Sequence, residues 1–479
     1  MIRIAIIGGG ISGLAAAFAL EPHRHTGAID YVLYEASPNL GGVLRTEHID
    51  RCVVEAGPDS FLTAKPWASD LCRALGLADQ LIGSNDADRK TYILVHGRLI
   101  PMPDGLMFMV PTKILPAAFS RLFSWRGKLR MAKELSHPPR TAGADESVAS
   151  FVERHYGSEM VDRLADPLLA GIYGGDAANL SVRAVLPRFA EMERTHGSLG
   201  RALLAARKQT MNSTNQPPPP IFTSLKKGMQ QLVETLVPRL NQNSLLTNTP
   251  VESLQREAEG WSVSAGSESA AYDAVIVAAP AHAAATLLST TNAELSAELA
   301  AIRYTSSITV GLGYDRNVRQ SLPPGFGFLI PRSESPRSEA PRSEVPRLLA
   351  ATFVHNKFRH RAPDDRAVLR CFFAAPAAEN IWQLADDAII AIVRDELQQI
   401  LGVGLHAAPL FARVYKWKSA MAQYSVGHLD RVDRIERLCR QLPGLALAGN
   451  AYHGIGIPDC IRSGQDAARE LLSLLPLSS

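Results

Sequence analysis

Five cysteines in 479 residues are too few and too scattered to organise this chain. Cys52, Cys72, Cys371, Cys439 and Cys460 form no C-x-x-C pair and are odd in number. They indicate neither a disulfide framework nor a thiolate zinc site, and they fit a reducing cytoplasm. Long apolar runs are missing as well: nothing approaches the ~20 uninterrupted apolar residues of a membrane-spanning helix. An excess of one charge is lacking: 50 lysines and arginines against 47 acids leave a net charge of +3, too small to point to nucleic acid. Neither G-x-S-x-G nor H-E-x-x-H occurs, and the thirteen histidines are dispersed, so no hydrolytic nucleophile and no metal site are expected. What is plentiful is apolar content, 46% of the chain, enough for the large core of two or three domains.

The most informative residues are the first thirty-six. Ile2 to Ile7 reads as a buried strand, Gly8-Gly9-Gly10-Ile11-Ser12-Gly13 as a turn, and Leu14 to Leu20 as a helix. The three successive glycines and the change of periodicity distinguish this segment from a signal peptide. Gly8 permits the tight turn, Gly10 lets backbone N–H groups approach a pyrophosphate, and Gly13 lets helix and strand pack closely. The helix start, with Ile11 and Ser12, then turns its positive end toward the phosphates. A second strand, Tyr31 to Tyr34, ends in Glu35 and Ala36; Glu35 lies 22 residues beyond Gly13, where a carboxylate can hold ribose hydroxyls. Strand, turn, helix, strand and acid in this order predict a dinucleotide-binding βα unit.

Just downstream stand Leu40-Gly41-Gly42-Val43-Leu44-Arg45-Thr46 and Glu55-Ala56-Gly57-Pro58-Asp59-Ser60-Phe61. Together they resemble the extended N-terminal motif of the flavin amine oxidase superfamily, which implies FAD as the cofactor. On that resemblance Gly42 and Arg45 support the pyrophosphate, and Gly57, Pro58, Asp59 and Ser60 join the cofactor site. Further on, Gly171-Ile172-Tyr173-Gly174-Gly175-Asp176 through Arg183, then Gly325-Phe326-Gly327-Phe328, are similar to stretches of the oxygen-dependent porphyrinogen oxidases. The resemblance runs from Ile2 to about Leu472. It implies an α/β fold: a discontinuous Rossmann-like FAD-binding domain, a mixed-sheet substrate domain and a helical lobe. It also implies that Val251 contacts the adenine side, that Trp417 lies beside the flavin, and that a C-terminal bend with Gly449, Ile455, Gly456 and Ile457 meets the isoalloxazine and pyrophosphate. For Trp417 a plain core position is the alternative.

The expected organisation is 1–85, 221–285 and 431–479 for the FAD-binding domain, 86–105 and 286–430 for the substrate domain, and 106–220 for the lobe. Alternation from Thr91 to Pro103 predicts a hairpin turning at His96-Gly97. Residues 147–169 read as helix. From 106 to 135 aromatic and basic residues mix with no acid before Glu134, which fits either an amphipathic helix lying on a membrane face or a solvated lobe helix. Residues 209–220, rich in proline, read as a linker, and the P-R-S-E repeat at 331–347 as a flexible loop without a catalytic role.

The resemblance implies oxidation of a porphyrinogen to the porphyrin, with removal of six hydrogens, O2 as acceptor and peroxide as by-product. Lys65 and Arg188 are the candidates for its carboxylates, Arg183 is a weaker one, and a solvated or bracing role is the alternative for each. Coproporphyrinogen III is favoured slightly over protoporphyrinogen IX by Gly57 to Phe61 and by the stretch from Pro101 to Lys113. A ferrochelatase-type enzyme would accept the product. Two other readings stay open: an amine oxidase or carotenoid-type desaturase, and a binding protein on the same fold, as in Rab GDP-dissociation inhibitors.

Overall fold

The first strand, β1 (Ile2–Ile7), lies in the middle of a five-stranded parallel sheet. Across this sheet run Leu245–Leu246, β2 (Ile29–Tyr34), β1, Ala274–Val277 and Leu445–Leu447. Ile4 pairs with Tyr31 on one side and with Ala274 on the other. Strands covered on both faces need apolar residues at nearly every position, and Ala274–Val277 is buried throughout. The alanine-rich helix α1 (Ile11–His25) covers one face, and the C-terminal helix Ile457–Leu474 lies against it. Gly464 makes that contact, since a Cβ there would sit 2.0 Å from the carbonyl oxygen of Ser12. The computed structural model describes residues 1–107, 110–111, 116, 119–139, 143–210, 219–334, 348–402, 405 and 407–474.

A seven-stranded mixed sheet stands beside it, in the order Phe411–Ala422, Tyr304–Asp315, Arg366–Phe373, Ala350–Phe353, Gly327–Leu329, Thr91–Val95 and Arg98–Pro101. All neighbours are antiparallel except Gly327–Leu329 with Thr91–Val95. The predicted hairpin is its far edge; His96 and Gly97 carry φ of 49° and 71°, the left-handed pair that a two-residue turn requires. The helix Asp386–Leu401 lies on this sheet and buries Ile389, Val393 and Leu397 in its core.

A third core, around Phe151, Tyr156, Leu164, Leu169 and Leu199, belongs to a helical lobe. Here the structure departs from the expectation of helix over 147–169. Val148–Tyr156 stops at Gly157, whose φ of 90° no helix accommodates, and the chain resumes through a wide turn at Val161–Ala165 into Asp166–Tyr173. The basic stretch is not one helix: Leu106–Met107 pairs with Val110–Pro111 as strands, and helix appears at Trp125–Glu134, capped by the Ser124 hydroxyl. Residues 108–109, 112–115 and 117–118 lie outside the described residues, as do 211–218 of the expected linker. Among the described residues no helix is long and apolar enough to cross a membrane. Val251 precedes the strand Ser253–Glu257, and Trp417 lies within Phe411–Ala422.

Of the P-R-S-E repeat, residues 335–347 lie outside the described residues. Its first unit is tied to the lobe and the hairpin. Arg332 pairs with Asp166 and Asp176, both at 2.8 Å, and Glu334 accepts from the backbone N–H of His96 at 2.8 Å.

Candidate active site

The turn after β1 is shaped by backbone collisions that side chains would cause. A Cβ on Gly13 would lie 1.9 Å from the Gly8 carbonyl oxygen, and one on Gly8 (φ +112°) 2.7 Å from that of Ala278. Gly10 is different: a Cβ there would meet nothing within 4 Å. It therefore borders open space, with Gly42 beside it, whose own Cβ would come 3.4 Å from the Gly10 Cα. The N-terminus of α1 has no side-chain cap and no acid in its first turn. An uncapped helix start opening into a glycine-lined hollow attracts an anion.

At the end of β2, Glu35 is half-buried. Its Oε2 accepts from the Gly9 N–H at 2.7 Å and its Oε1 from the Ser37 N–H at 2.8 Å, while Ala36 is exposed. Val251 packs partly buried nearby, against the core on the other face of the parallel sheet. Gly449 lies by Ala279, where a Cβ would have 4.0 Å of clearance, and Ile455, Gly456 and Ile457 lead into the C-terminal helix. A carboxylate at the end of β2, an uncapped helix start beside glycines and the start of the C-terminal helix fit a dinucleotide. FAD would be held through the α1 amides and Gly42 at the pyrophosphate, and through the C-terminal bend at the flavin.

The loop from Glu55 to Ser60 closes the wall next to Gly42. A Cβ on Gly57 would lie 1.9 Å from the Val43 carbonyl oxygen, and the Ala56 N–H donates to the Arg45 carbonyl at 2.9 Å. The other polar groups of this loop are taken up by distant residues. Trp417 Nε1 donates to the Ala56 carbonyl at 2.8 Å; Arg370 donates to the Gly57 carbonyl and Arg361 to the Glu55 carboxylate. Lys357 Nζ donates to both Asp59 oxygens, at 3.0 and 2.9 Å. Burial alone would raise the Asp59 carboxyl, but Lys357 and Arg370 outweigh it and hold the group below the usual carboxylate range. In sequence this loop was announced by the stretch Glu55–Phe61, with Gly57, Pro58, Asp59 and Ser60. Its partners, Lys357, Arg361 and Arg370, were missed because nothing local links residues some three hundred positions apart.

Lys65 lies half-buried at the other side of the hollow and donates to both oxygens of Asp459, at 2.8 and 2.6 Å. Asp459, in the first turn of the C-terminal helix, is only 5% exposed, so the lysine neutralises a desolvated carboxylate. An ammonium has three donors, and two are used here, which leaves one for a further acceptor. Asp459 itself was not anticipated. Arg188 is not brought here: it is exposed on the lobe helix Pro187–His196. Arg183 is also exposed and faces Asp430 at 3.7 Å. An open cleft of about 520 Å³ runs between Arg45 and Glu47 on one side and Arg413 to Trp417 on the other. Within it Arg413 pairs with Glu47 at 3.0 Å, and Lys416 with Asp386 at 3.7 Å.

Fold and hollow together define a flavoprotein oxidoreductase built on a dinucleotide-binding sheet. The particular family follows from comparison: residues 11–472 match the model of the flavin containing amine oxidoreductases, and the chain belongs to that family, with FAD as its cofactor. It is 35% identical to the coproporphyrinogen III oxidase of Bacillus subtilis (strain 168), over 99% of this chain and 98% of that one. It is 33% identical to the coproporphyrinogen III oxidase of Propionibacterium freudenreichii subsp. freudenreichii, over 98% of this chain and 90% of that one. Among solved structures, one from Exiguobacterium sp. 255-15 assigned to protoporphyrinogen oxidases superposes with a TM-score of 0.84. Its identity is 29%, and the match covers 98% of each chain.

Proposed function

We propose that this protein oxidises a porphyrinogen to the porphyrin in haem synthesis, with coproporphyrinogen III as the favoured substrate over protoporphyrinogen IX. The observation that carries this reading is likeness along the whole length to coproporphyrinogen III oxidases, covering the lobe and the mixed sheet as well as the cradle. Bound FAD supplies the acceptance of a hydride from a saturated meso carbon and its return to O2 as peroxide. The chain supplies binding and orientation. The unused Lys65 donor meets a propionate, and the Glu55–Ser60 loop keeps water from one wall of the flavin.

The same reading makes the enzyme cytoplasmic, delivers its product to a ferrochelatase-type partner, and divides the chain into the FAD, substrate and lobe segments set out above. Contact with a membrane face is supported by the helix Trp125–Glu134, which exposes Trp125 and Leu129 beside Arg126 and Lys128.

Aerobic turnover with each porphyrinogen tests the proposal. Coproporphyrin III should accumulate with three peroxides per porphyrin, and Lys65→Met should raise KM about tenfold, the loss of one charge-assisted contact. Turnover of an amine with neither porphyrinogen consumed would establish the amine oxidase reading instead. A colourless protein that takes up no FAD would establish the binding-protein reading.

A further inference from the structure

Five ionised side chains meet behind the Glu55–Ser60 loop, and their charges do not cancel. Glu55 and Asp59 face Arg361, Lys357 and Arg370, three cations against two carboxylates. Water is excluded: Arg361 is 1% exposed, Arg370 7% and Glu55 4%. Arg370 has the least complete pairing, with Asp59 at 3.9 Å and the Gly57 carbonyl as its hydrogen-bond acceptor. The Nε atoms of Arg361 and Arg370 have no acceptor, and both residues line a small apolar-walled void with Val54, Gly311 and Val368. Burial lowers the proton affinity of Arg370, yet a guanidinium starts so high that it stays charged.

A buried surplus charge is costly, and a structural staple does not call for one. Paired groups, or apolar residues of the same volume, would hold the loop to the sheet as well. The surplus sits behind Gly57, and the carbonyl of the adjoining Ala56 accepts at 2.8 Å from Trp417, the residue that the resemblance places beside the flavin. A hydride from substrate brings two electrons and one proton to the flavin ring, so the ring gains one negative charge, while the pyrrole N–H proton leaves to solvent.

We propose that Arg370 is a positioning and electrostatic residue for the cofactor: it fixes the Gly57 carbonyl and supplies the uncompensated positive charge that favours reduced over oxidised FAD. This rests on FAD occupying the glycine hollow and is independent of which substrate delivers the hydride. The test is the midpoint potential of the bound flavin in purified holoenzyme, read by spectroelectrochemistry without any porphyrinogen. Arg370→Gln removes the surplus. The preference for reduced over oxidised FAD should fall about tenfold, a plausible size for one charge at an effective dielectric of ~20, which is about 30 mV lower for a two-electron couple.

Asp59→Asn adds a surplus charge while keeping the side-chain shape, and it should shift the potential by a similar amount in the opposite direction. Arg370→Lys should keep the wild-type potential. A purely mechanical clamp would give no shift, or shifts of one sign in both charge variants, and either result overturns the proposal. If Arg370→Gln does not fold, Asp59→Asn alone decides: an unchanged or lowered potential contradicts it.

Discussion

The glycine hollow and the charge cluster beside it lie within a few residues of each other and treat polar groups in opposite ways. At the hollow, the α1 start has no cap and Gly10 faces empty space. Behind the loop, Glu55 is bonded to Arg361, to the Met229 N–H at 2.8 Å and to the Thr46 hydroxyl at 2.6 Å. The Glu55 carboxylate has its partners without a ligand; the α1 start does not. A site that awaits an anion leaves backbone donors open, because they cost little to keep solvated, whereas an interface between two sheets satisfies nearly everything it buries.

The largest effects should separate these two regions. Gly13→Val drives a side chain into the Gly8 carbonyl and should yield no soluble flavoprotein, checked by yield and flavin absorbance. Gly10→Ala meets no atom of the chain, so thermal unfolding without FAD should match wild type while FAD affinity falls at least about tenfold. If Gly10→Ala instead binds FAD normally, Gly10 does not border the cofactor. Next comes Arg361→Met, which leaves the Glu55 carboxylate buried and unpaired and should cost about 3–5 kcal/mol in denaturant unfolding. That loss should persist whether or not FAD is present, unlike the effect at Gly10.

The helical lobe offers a smaller, pH-dependent contrast. His155 is fully buried between Glu134 at 3.2 Å and Glu193 at 3.3 Å. Burial opposes its protonation, but the two carboxylates outweigh it and raise its pKa above the ordinary 6.5. Its charged form therefore adds full stability below about pH 6.5, and that stability is lost as pH rises through the raised folded value. Glu193, pulled down to about 2 because His155 and Arg154 outweigh its burial, acts in the reverse sense and loses its contribution only in acid. Unfolding of the lobe, followed by amide exchange, should become easier from neutral to alkaline pH. This slope should vanish in His155→Gln, at a cost of about 1–3 kcal/mol near pH 6. Smallest of all, Arg183→Ala breaks an exposed pair and should leave stability within ~1 kcal/mol.

The turn was legible because its information is local. Gly8, Gly10, Gly13 and Glu35 lie within one βαβ unit, and the same spacing brings Glu35 to the Gly9 N–H. The hairpin at His96-Gly97 was legible for the same reason. The helix over 147–169 was misread because one glycine at a positive φ outweighs the apolar periodicity on both sides of it. The clamp was illegible for a physical reason: Glu55 and Arg361 are 306 residues apart, and only the stacking of two sheets brings them together. Lys65 could be selected as a basic residue near the motif, but its partner Asp459 comes from the other end of the chain.

Anaerobic mixing of the purified holoenzyme with coproporphyrinogen III, followed through the flavin absorbance, tests the central claim most directly. Rapid bleaching that air reverses, faster than with protoporphyrinogen IX, is the predicted result. Flavin that stays oxidised with both porphyrinogens would contradict it.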